Sequence, residues 1–521
     1  MKKEKQEKKP LGRVFYISAA IIATLVLIGA FLPNQFATGA NAAFGFTTQS
    51  FGWLYLLAVF FFVIFLIFIA LSRYGRVRLG GDDERPDYPV FTWIGMLFSA
   101  GFGVSLVFWG IAEPMSHFYT SPEAGVEPLT EEGARLSMAY SFFHWGVSQW
   151  ATFAIVGLII AYFQFRRKTN GLISTSLSPM IKEGRMKQPL SQTIDILAVI
   201  ATVMGVATSL GLGILQINGG LNSVLDIPNN AFVQVMITLV LTALFLLSTT
   251  TGIDKGIKWL SNINLGAALL LMIFVFFVGP TVFILETFVL GLGDYITNFV
   301  RYSLRLQPYV EGTWVRDWTI FYWAWAIAWS PFVGAFIARV SRGRTIREFV
   351  VGVLIVPPAI AILWIAVFGG TALHLDLFQG TSIAEAVNND ITSALFSTFD
   401  QLPLSTVLSV LSILLILTFL ITSADSATYI ISSMTTSGGL NPPLVVRIIW
   451  GVLLGSIAAV LLVASGLEGL QTASLVSALP FTIILIFMIF TLFNLLRKEF
   501  PRPKLKTAKQ LKAERKAREQ K

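Results

Sequence analysis

Residues 321–332 read FYWAWAIAWSPF, and within them Phe321, Trp325, Trp329 and Phe332 recur at intervals of four, four and three. Side chains three or four apart share one face of a helix, so four aromatic rings line a single stripe. Tryptophan in a membrane protein ordinarily sits at headgroup level with its N–H in water, yet these rings lie inside an apolar run. A second run, HWGVSQWATF, supplies Trp145, Trp150 and Phe153. Packing alone would account for either helix. Two helices each bearing paired tryptophans at depth favour a cage for a quaternary ammonium, whose charge is drawn to ring faces by about 0.5–2 kcal/mol per ring. Such a group has no N–H to donate, so aromatic faces are its natural partner.

A different chemistry is suggested by FLITSADSATY, residues 419–429, where Thr422, Ser423 and Ser426 flank Asp425. A carboxylate within a membrane span is costly and marks function by default, and hydroxyl and carbonyl oxygens suit hard cations. In FSAGFGVSLVFWG, residues 98–110, Gly101 and Gly103 each weaken a helix by about 1 kcal/mol. Unwinding there frees carbonyls to complete a sodium cage with Thr422 and Ser423. The alternatives are close helix packing through small residues and hydroxyls bonded back to their own helix. A similar run, ATVMGVATSLGLG, covers residues 201–213.

The elements that must position these residues are membrane helices. The chain of 521 residues is 55% hydrophobic and 13% charged, with a mean hydropathy of +0.72. A soluble domain carries about 25% charged residues, so the surplus apolar surface must be solvated by lipid. About 20 apolar residues cross a bilayer, which predicts about twelve spans starting near residues 14, 52, 92, 138, 191, 231, 258, 314, 346, 404, 444 and 470. The loops RYGRVRLGG, FRRKTNG, GIDKGIKW and ARVSRGRTIREF alternate with SPEAGVEPLTEEGA, NSVLDIPNN and HLDLFQGTSIAEAVNND. Basic loops stay in the cytoplasm, and an even span count puts both termini there.

These features divide the chain into a basic N-terminus (1–13), two peripheral spans (14–72), five spans (73–283), an amphipathic outer-surface helix (284–312), five more spans (313–496) and a basic tail (497–521). Two groups of five spans suggest inverted repeats around a midplane site. The net charge of +9 gathers at the termini and in short loops, which points to anionic lipid and not to nucleic acid. The N-terminal apolar run lacks a convincing cleavage site and reads as an uncleaved first span. Cysteine is absent, which excludes thiolate chemistry. His117, His144 and His374 are far apart in sequence and form no HExxH-like spacing, so a membrane enzyme is disfavoured. A channel is disfavoured too, for want of a filter-like repeat.

FYWAW-x-I-x-WSPF followed by ARVSRGRTIRE resembles the signature of the betaine/choline/carnitine transporter family, as do SAGFG…FWGIAEP, FFHWG…QWA, TSLGLG…QINGG and TSADS, in that order along nearly the whole chain. Within the family, the Gram-positive glycine betaine carriers are the most similar. The resemblance implies an all-α membrane protein with a LeuT-like fold of two five-helix inverted repeats, Na⁺-coupled uptake of a compatible solute across a bacterial cell membrane, and a homotrimer. It implies an aromatic cage of Trp145, Trp150, Phe153, Trp325 and Trp329 with Phe108 nearby, and a pathway lined by Ser209. It also implies a sodium site of carbonyls near Ser99, Phe102 and Phe419 with the Thr422 and Ser423 hydroxyls, and a second site at Thr202, Val206 and Phe332.

The chain departs from that pattern in places. Betaine carriers of this kind carry Trp at Ala326, Tyr at Phe153, Gly at Ser105 and Met at Phe102, while choline carriers place Asp at Ser105. Without that Asp a net-neutral zwitterion is favoured over choline. The lost indole at Ala326 leaves room for a differently shaped solute such as ectoine, carnitine or proline. Val206 stands where a threonine would supply a hydroxyl, which weakens the second sodium site. A sodium-independent exchanger would fill the first site with an Arg or Met side chain, and no cation lies near Thr422 in the sequence.

Overall fold

In lipid every backbone N–H and C=O must find a partner within the protein, so apolar runs of this length become helices. The computed structural model describes residues 11–101, 103–251, 254–309, 312–436, 438 and 441–501, and for residues 98–101, 251 and 254–259 the backbone alone. Seventeen α-helices follow one another, with no strand among the described residues. They begin with α1 (Arg13–Phe31), α2 (Pro33–Leu71), α3 (Val90–Gly101), α4 (Val104–Tyr119), α5 (Glu131–Trp145), α6 (Val147–Ala161) and the short α7 (Ile173–Leu177). Then come α8 (Lys187–Leu225), α9 (Ala231–Thr251), α10 (Asp254–Val278), α11 (Thr281–Ser303), α12 (Phe321–Val340) and α13 (Ile346–Gln379). The short α14 (Ile383–Asn389) and α15 (Ala394–Phe399) precede α16 (Ser405–Thr435) and α17 (Leu444–Glu499).

Among the described residues, eleven helices are long and apolar enough to cross a membrane. That number and the twelve spans predicted are reconciled by three particulars. The third span is divided into α3 and α4, each too short alone. The 56-residue α17 passes through Gly466, whose φ of 56° breaks it into two spans; a side chain is strained in that left-handed region. The eleven include α11, which is amphipathic: Ile284, Gly291, Tyr295 and Tyr302 are buried along one face. The second helix starts at Pro33, well before the predicted residue 52, because proline at a first helical position nucleates the less apolar stretch that follows.

The two sets of loops separate in space. The connection before α3 pairs with the start of α13 through Leu79 N–H to Arg344 O and Ile346 N–H to Val77 O, both 2.8 Å. Arg166, beyond α6, donates to Asp82 at 2.9 Å and to Glu499 at 2.6 Å, tying the end of α17 to the same basic cluster. The first acidic loop meets α11 instead, where Glu123 pairs with Arg301 at 2.5 Å, and the other two acidic loops join each other where Asn229 donates to Asp390 at 2.9 Å.

The core is built around α6 and α12. A Cβ on Gly157 would stand 3.1 Å from Gly334 O, and one on Gly334 2.9 Å from Gly157 N, so the two backbones touch where small residues permit it. Gly334→Leu should therefore prevent this contact, and size-exclusion chromatography in detergent should show aggregated or absent protein. Gly266→Ala, where added bulk meets open space, should elute as the native species.

Candidate substrate and cation site

The predicted stripe on α12 forms as expected. Phe321 and Trp325 stack at 5.9 Å, Trp325 and Trp329 at 6.0 Å, and Trp329 meets Phe332 at 6.0 Å. Trp329 also touches Phe153 edge-on at 5.7 Å, Phe153 touches Trp150 at 5.3 Å, and Trp325 meets Trp145 edge-on at 6.3 Å. The five rings expected for a cage thus form one unbroken chain across α5, α6 and α12. Trp145, Trp150, Phe153 and Trp325 are buried, while Trp329 and Phe332 are half-buried. The indole N–H of Trp325 is buried with no hydrogen-bond partner among the described residues, although a buried donor normally has one.

The remaining expected residues sit at varying removes. Phe108 is buried and joins the rings through Trp109 at 4.8 Å, which in turn meets Phe321 and Tyr322. Ala326 is buried beside Trp325. Ser105 is buried in the first turn of α4, where the opening amides of a helix have no partner within it. Ser209 is half-buried and donates to Gly205 O at 3.3 Å. At Gly205, α8 presses against the backbone of Ala328 and Trp329.

The break predicted from Gly101 and Gly103 is present. Helix α3 ends at Gly101, and Gly103 is extended (φ −156°, ψ 170°) before α4 starts at Val104. Phe102 and the side chain of Ser99 lie outside the described residues. Thr422 and Phe419 are buried and Ser423 is half-buried. The Thr422 hydroxyl donates to Thr418 O and Phe419 O, both 3.1 Å. That is the back-bonded arrangement, and it leaves the oxygen's lone pairs available to a cation. Asp425 turns elsewhere: it accepts from Thr249 on α9 and pairs with Arg447 on α17 at 3.5 Å. Its cost in the membrane is offset by that pair, so it is a structural carboxylate. Ser426 is exposed.

Around the second cation site, Thr202 is fully buried, donates to Ala198 O at 2.7 Å and faces the Met434 sulfur at 4.0 Å. Val206 is buried. A thioether is a soft ligand that suits sodium poorly.

The fold also assembles a cluster that sequence reasoning missed. His117 and His144, distant in sequence, converge on Glu113; all three are fully buried. Glu113 Oε1 is 2.6 Å from His144 Nδ1 and 3.3 Å from His117 Nε2. Its Oε2 accepts from Trp145 Nε1 at 2.8 Å and from the Tyr322 hydroxyl. His144 Nε2 lies 2.9 Å from Thr319 Oγ1. The three ligand-type atoms fall within 4.8 Å of one another, but direct hydrogen bonds occupy the space an ion would need. The available signal was Glu113 itself, a carboxylate inside FWGIAEP that the rule applied to Asp425 would equally have flagged. A second feature was also unforeseen. The fourth span breaks at Gly146, and the freed Val147 N–H is taken by the Tyr295 hydroxyl of α11 at 2.9 Å.

A sequence profile of the betaine/carnitine/choline family transporters matches residues 13–501. The chain belongs to this family. Three similar members show its range. One is the ectoine/hydroxyectoine transporter of Virgibacillus pantothenticus, 63% identical over 93% of this chain and 96% of that protein. Another is the glycine betaine transporter OpuD of Bacillus subtilis, 47% identical over 96% of this chain and 97% of that protein. The third is the ectoine/glycine betaine/proline transporter EctP of Corynebacterium glutamicum, 36% identical over 94% of this chain and 81% of that protein. The family is one of multi-span membrane transporters and not of enzymes, in agreement with the expectation from the sequence.

Trp329→Ala removes the ring that joins the two arms of the aromatic chain. At about 0.5–2 kcal/mol per cation–π contact, it should raise the KM for solute uptake by roughly 2- to 30-fold. Uptake kinetics in proteoliposomes would check this, and an unchanged KM would rule the ring out of the site.

Proposed function

We propose that the chain is a Na⁺-coupled symporter that takes up a zwitterionic compatible solute, of the glycine betaine or ectoine type, across a bacterial cell membrane. The observation that carries the reading is the continuous chain of five rings spanning α5, α6 and α12 next to the broken third span. Ring faces hold the solute's positive group, and the opening amides of α4 offer their partial positive charge to its carboxylate. Sodium, held by the hydroxyls of Thr422 and Ser423 and carbonyls near Phe419, Phe102 and Ser99, keeps the break in its binding-competent shape. The thioether beside Thr202 and the apolar Val206 support one sodium site and not two.

Two five-helix inverted repeats in a LeuT-like arrangement are supported by the pairing of helices. The first repeat runs from α3 to α10 and the second from α12 to the end of α17. Within that scheme α6 packs on α12 as its counterpart α13 packs on α3 and α4, and α10 packs on α16 as the part of α17 after Gly466 meets α8, where Thr208 bonds to Leu470 O and Ser474. Rocking of one repeat against the other exposes the site alternately. In this reading both termini lie in the cytoplasm, on the side of the basic loops that meet around Arg166 and Glu499, with α11 on the outer face, the basic tail near anionic lipid and the subunits in a homotrimer.

Between the two solutes, Ala326 favours ectoine. Where an indole would close the cage, this chain has a methyl group, which leaves width for a flat six-membered ring with a delocalised positive charge. Phe153 likewise lacks the hydroxyl expected there. The ectoine/hydroxyectoine carrier is also the more similar of the two Bacillus-type relatives. Glycine betaine, the smaller ligand, stays as the second reading.

Uptake of labelled ectoine, glycine betaine and choline into proteoliposomes, under sodium or potassium gradients, tests the proposal. Sodium-dependent ectoine uptake, with betaine weaker and choline absent, is expected; equal uptake in potassium would overturn the coupling. Thr422→Ala combined with Ser423→Ala should raise the half-saturating sodium concentration by about tenfold, roughly 1.4 kcal/mol, and unaltered sodium activation would remove that site. Val206→Thr should move the sodium Hill coefficient upward, which the same assay reads.

A further inference from the structure

We propose that Glu113 is the positioning residue of the solute cage, acting through Trp145; the inference rests on the cage reading above. Trp145 is the last residue of α5, directly before the break at Gly146. A side chain at such a point has no following turn to hold it. Its only polar atom, the indole N–H, donates to Glu113 Oε2 at 2.8 Å. The same oxygen accepts from Tyr322, which lies three residues before Trp325 on α12.

The rings of Trp145, Tyr322 and Trp325 therefore close a triangle: Trp145 meets Tyr322 at 5.9 Å and 76°, Trp145 meets Trp325 at 6.3 Å and 79°, and Tyr322 meets Trp325 at 6.1 Å. Aromatic pairs prefer such edge-to-face geometry, but ring contacts alone leave an indole free to turn about its long axis. The hydrogen bond to a fully buried carboxylate removes that freedom. The carboxylate is itself fixed from the other side by His144 at 2.6 Å and His117 at 3.3 Å. Four donors from α4, α5 and α12 thus converge on one side chain. Glu113 touches no solute; it sets the plane of the ring that does.

A carboxylate that only satisfied its own burial would contribute to stability independently of Trp145. A positioning residue loses its effect on binding once Trp145 is gone, so a double-mutant cycle separates the two. The experiment measures binding of labelled ectoine and glycine betaine to purified full-length protein in sodium, with melting temperature followed in parallel. Glu113→Gln and Trp145→Phe should each raise Kd about tenfold, and the double variant should stay within about twofold of Trp145→Phe alone.

A double variant whose Kd rises by the product of the single effects, or a Glu113→Gln protein that binds as the native one, overturns the proposal. Should Glu113→Gln fail to fold, Tyr322→Phe takes its place in the same cycle with Trp145→Phe, and the same two outcomes decide. Trp329→Ala separates this failure from that of the cage. Weakened binding in Trp329→Ala with native binding in Glu113→Gln overturns the positioning role alone, whereas native binding in both overturns the cage as well.

Discussion

A backbone that stops being helical inside a membrane must satisfy its freed amides and carbonyls without water. This constraint governs the third span, which ends at Gly101, runs extended through Gly103 and resumes at Val104. Such a break is tolerated only where it is buried in protein or lines a cavity, and the helices around it are arranged accordingly. Val104 sits against α8 at Gly213, so the break is enclosed instead of facing lipid. Its carbonyls and opening amides are what a cation and a carboxylate would complete. The fourth span solves the same problem differently: at Gly146 the orphaned Val147 N–H goes to the Tyr295 hydroxyl of α11, and no ligand is needed.

Aromatic rings at this depth raise a related difficulty, since an indole N–H in an apolar interior is itself a donor in search of a partner. The protein treats its tryptophans unequally. Trp145 donates a hydrogen bond to Glu113, whereas the indole N–H of Trp325, at the centre of the ring chain, has no partner among the described residues. One indole is anchored to the scaffold and the next is left available.

Much of this was legible in the sequence, and the reasons are physical. Span lengths, loop charges, the aromatic stripe of α12 and the glycine break each depend on residues adjacent along the chain or one helical turn apart. Those local rules survive folding because a helix preserves them. What failed to show was whatever depends on contacts between helices. His117 and His144 read as scattered because their common partner, Glu113, lies on a different helix from His144. Asp425 read as a functional carboxylate beside the hydroxyls because Arg447, its partner, is on α17. The break at Gly146 was hidden because a single glycine in a span usually signals packing, and Tyr295, which caps the break, lies 149 positions further on.

Two of the buried carboxylates, Glu113 and Asp425, show how the same cost is met with opposite consequences. Asp425 pairs with a guanidinium near the start of α17, accepts from Thr249 and so ties α9, α16 and α17 together. Glu113 pairs with no guanidinium; its donors are two imidazoles, an indole and a phenol. One of those donors is Trp145 of the ring chain and another, Tyr322, packs against it, so moving these rings means breaking hydrogen bonds to a buried anion. An aromatic wall anchored this way resists collapse, because turning Trp145 would strand its indole N–H in an apolar interior and leave a buried carboxylate oxygen short of a donor.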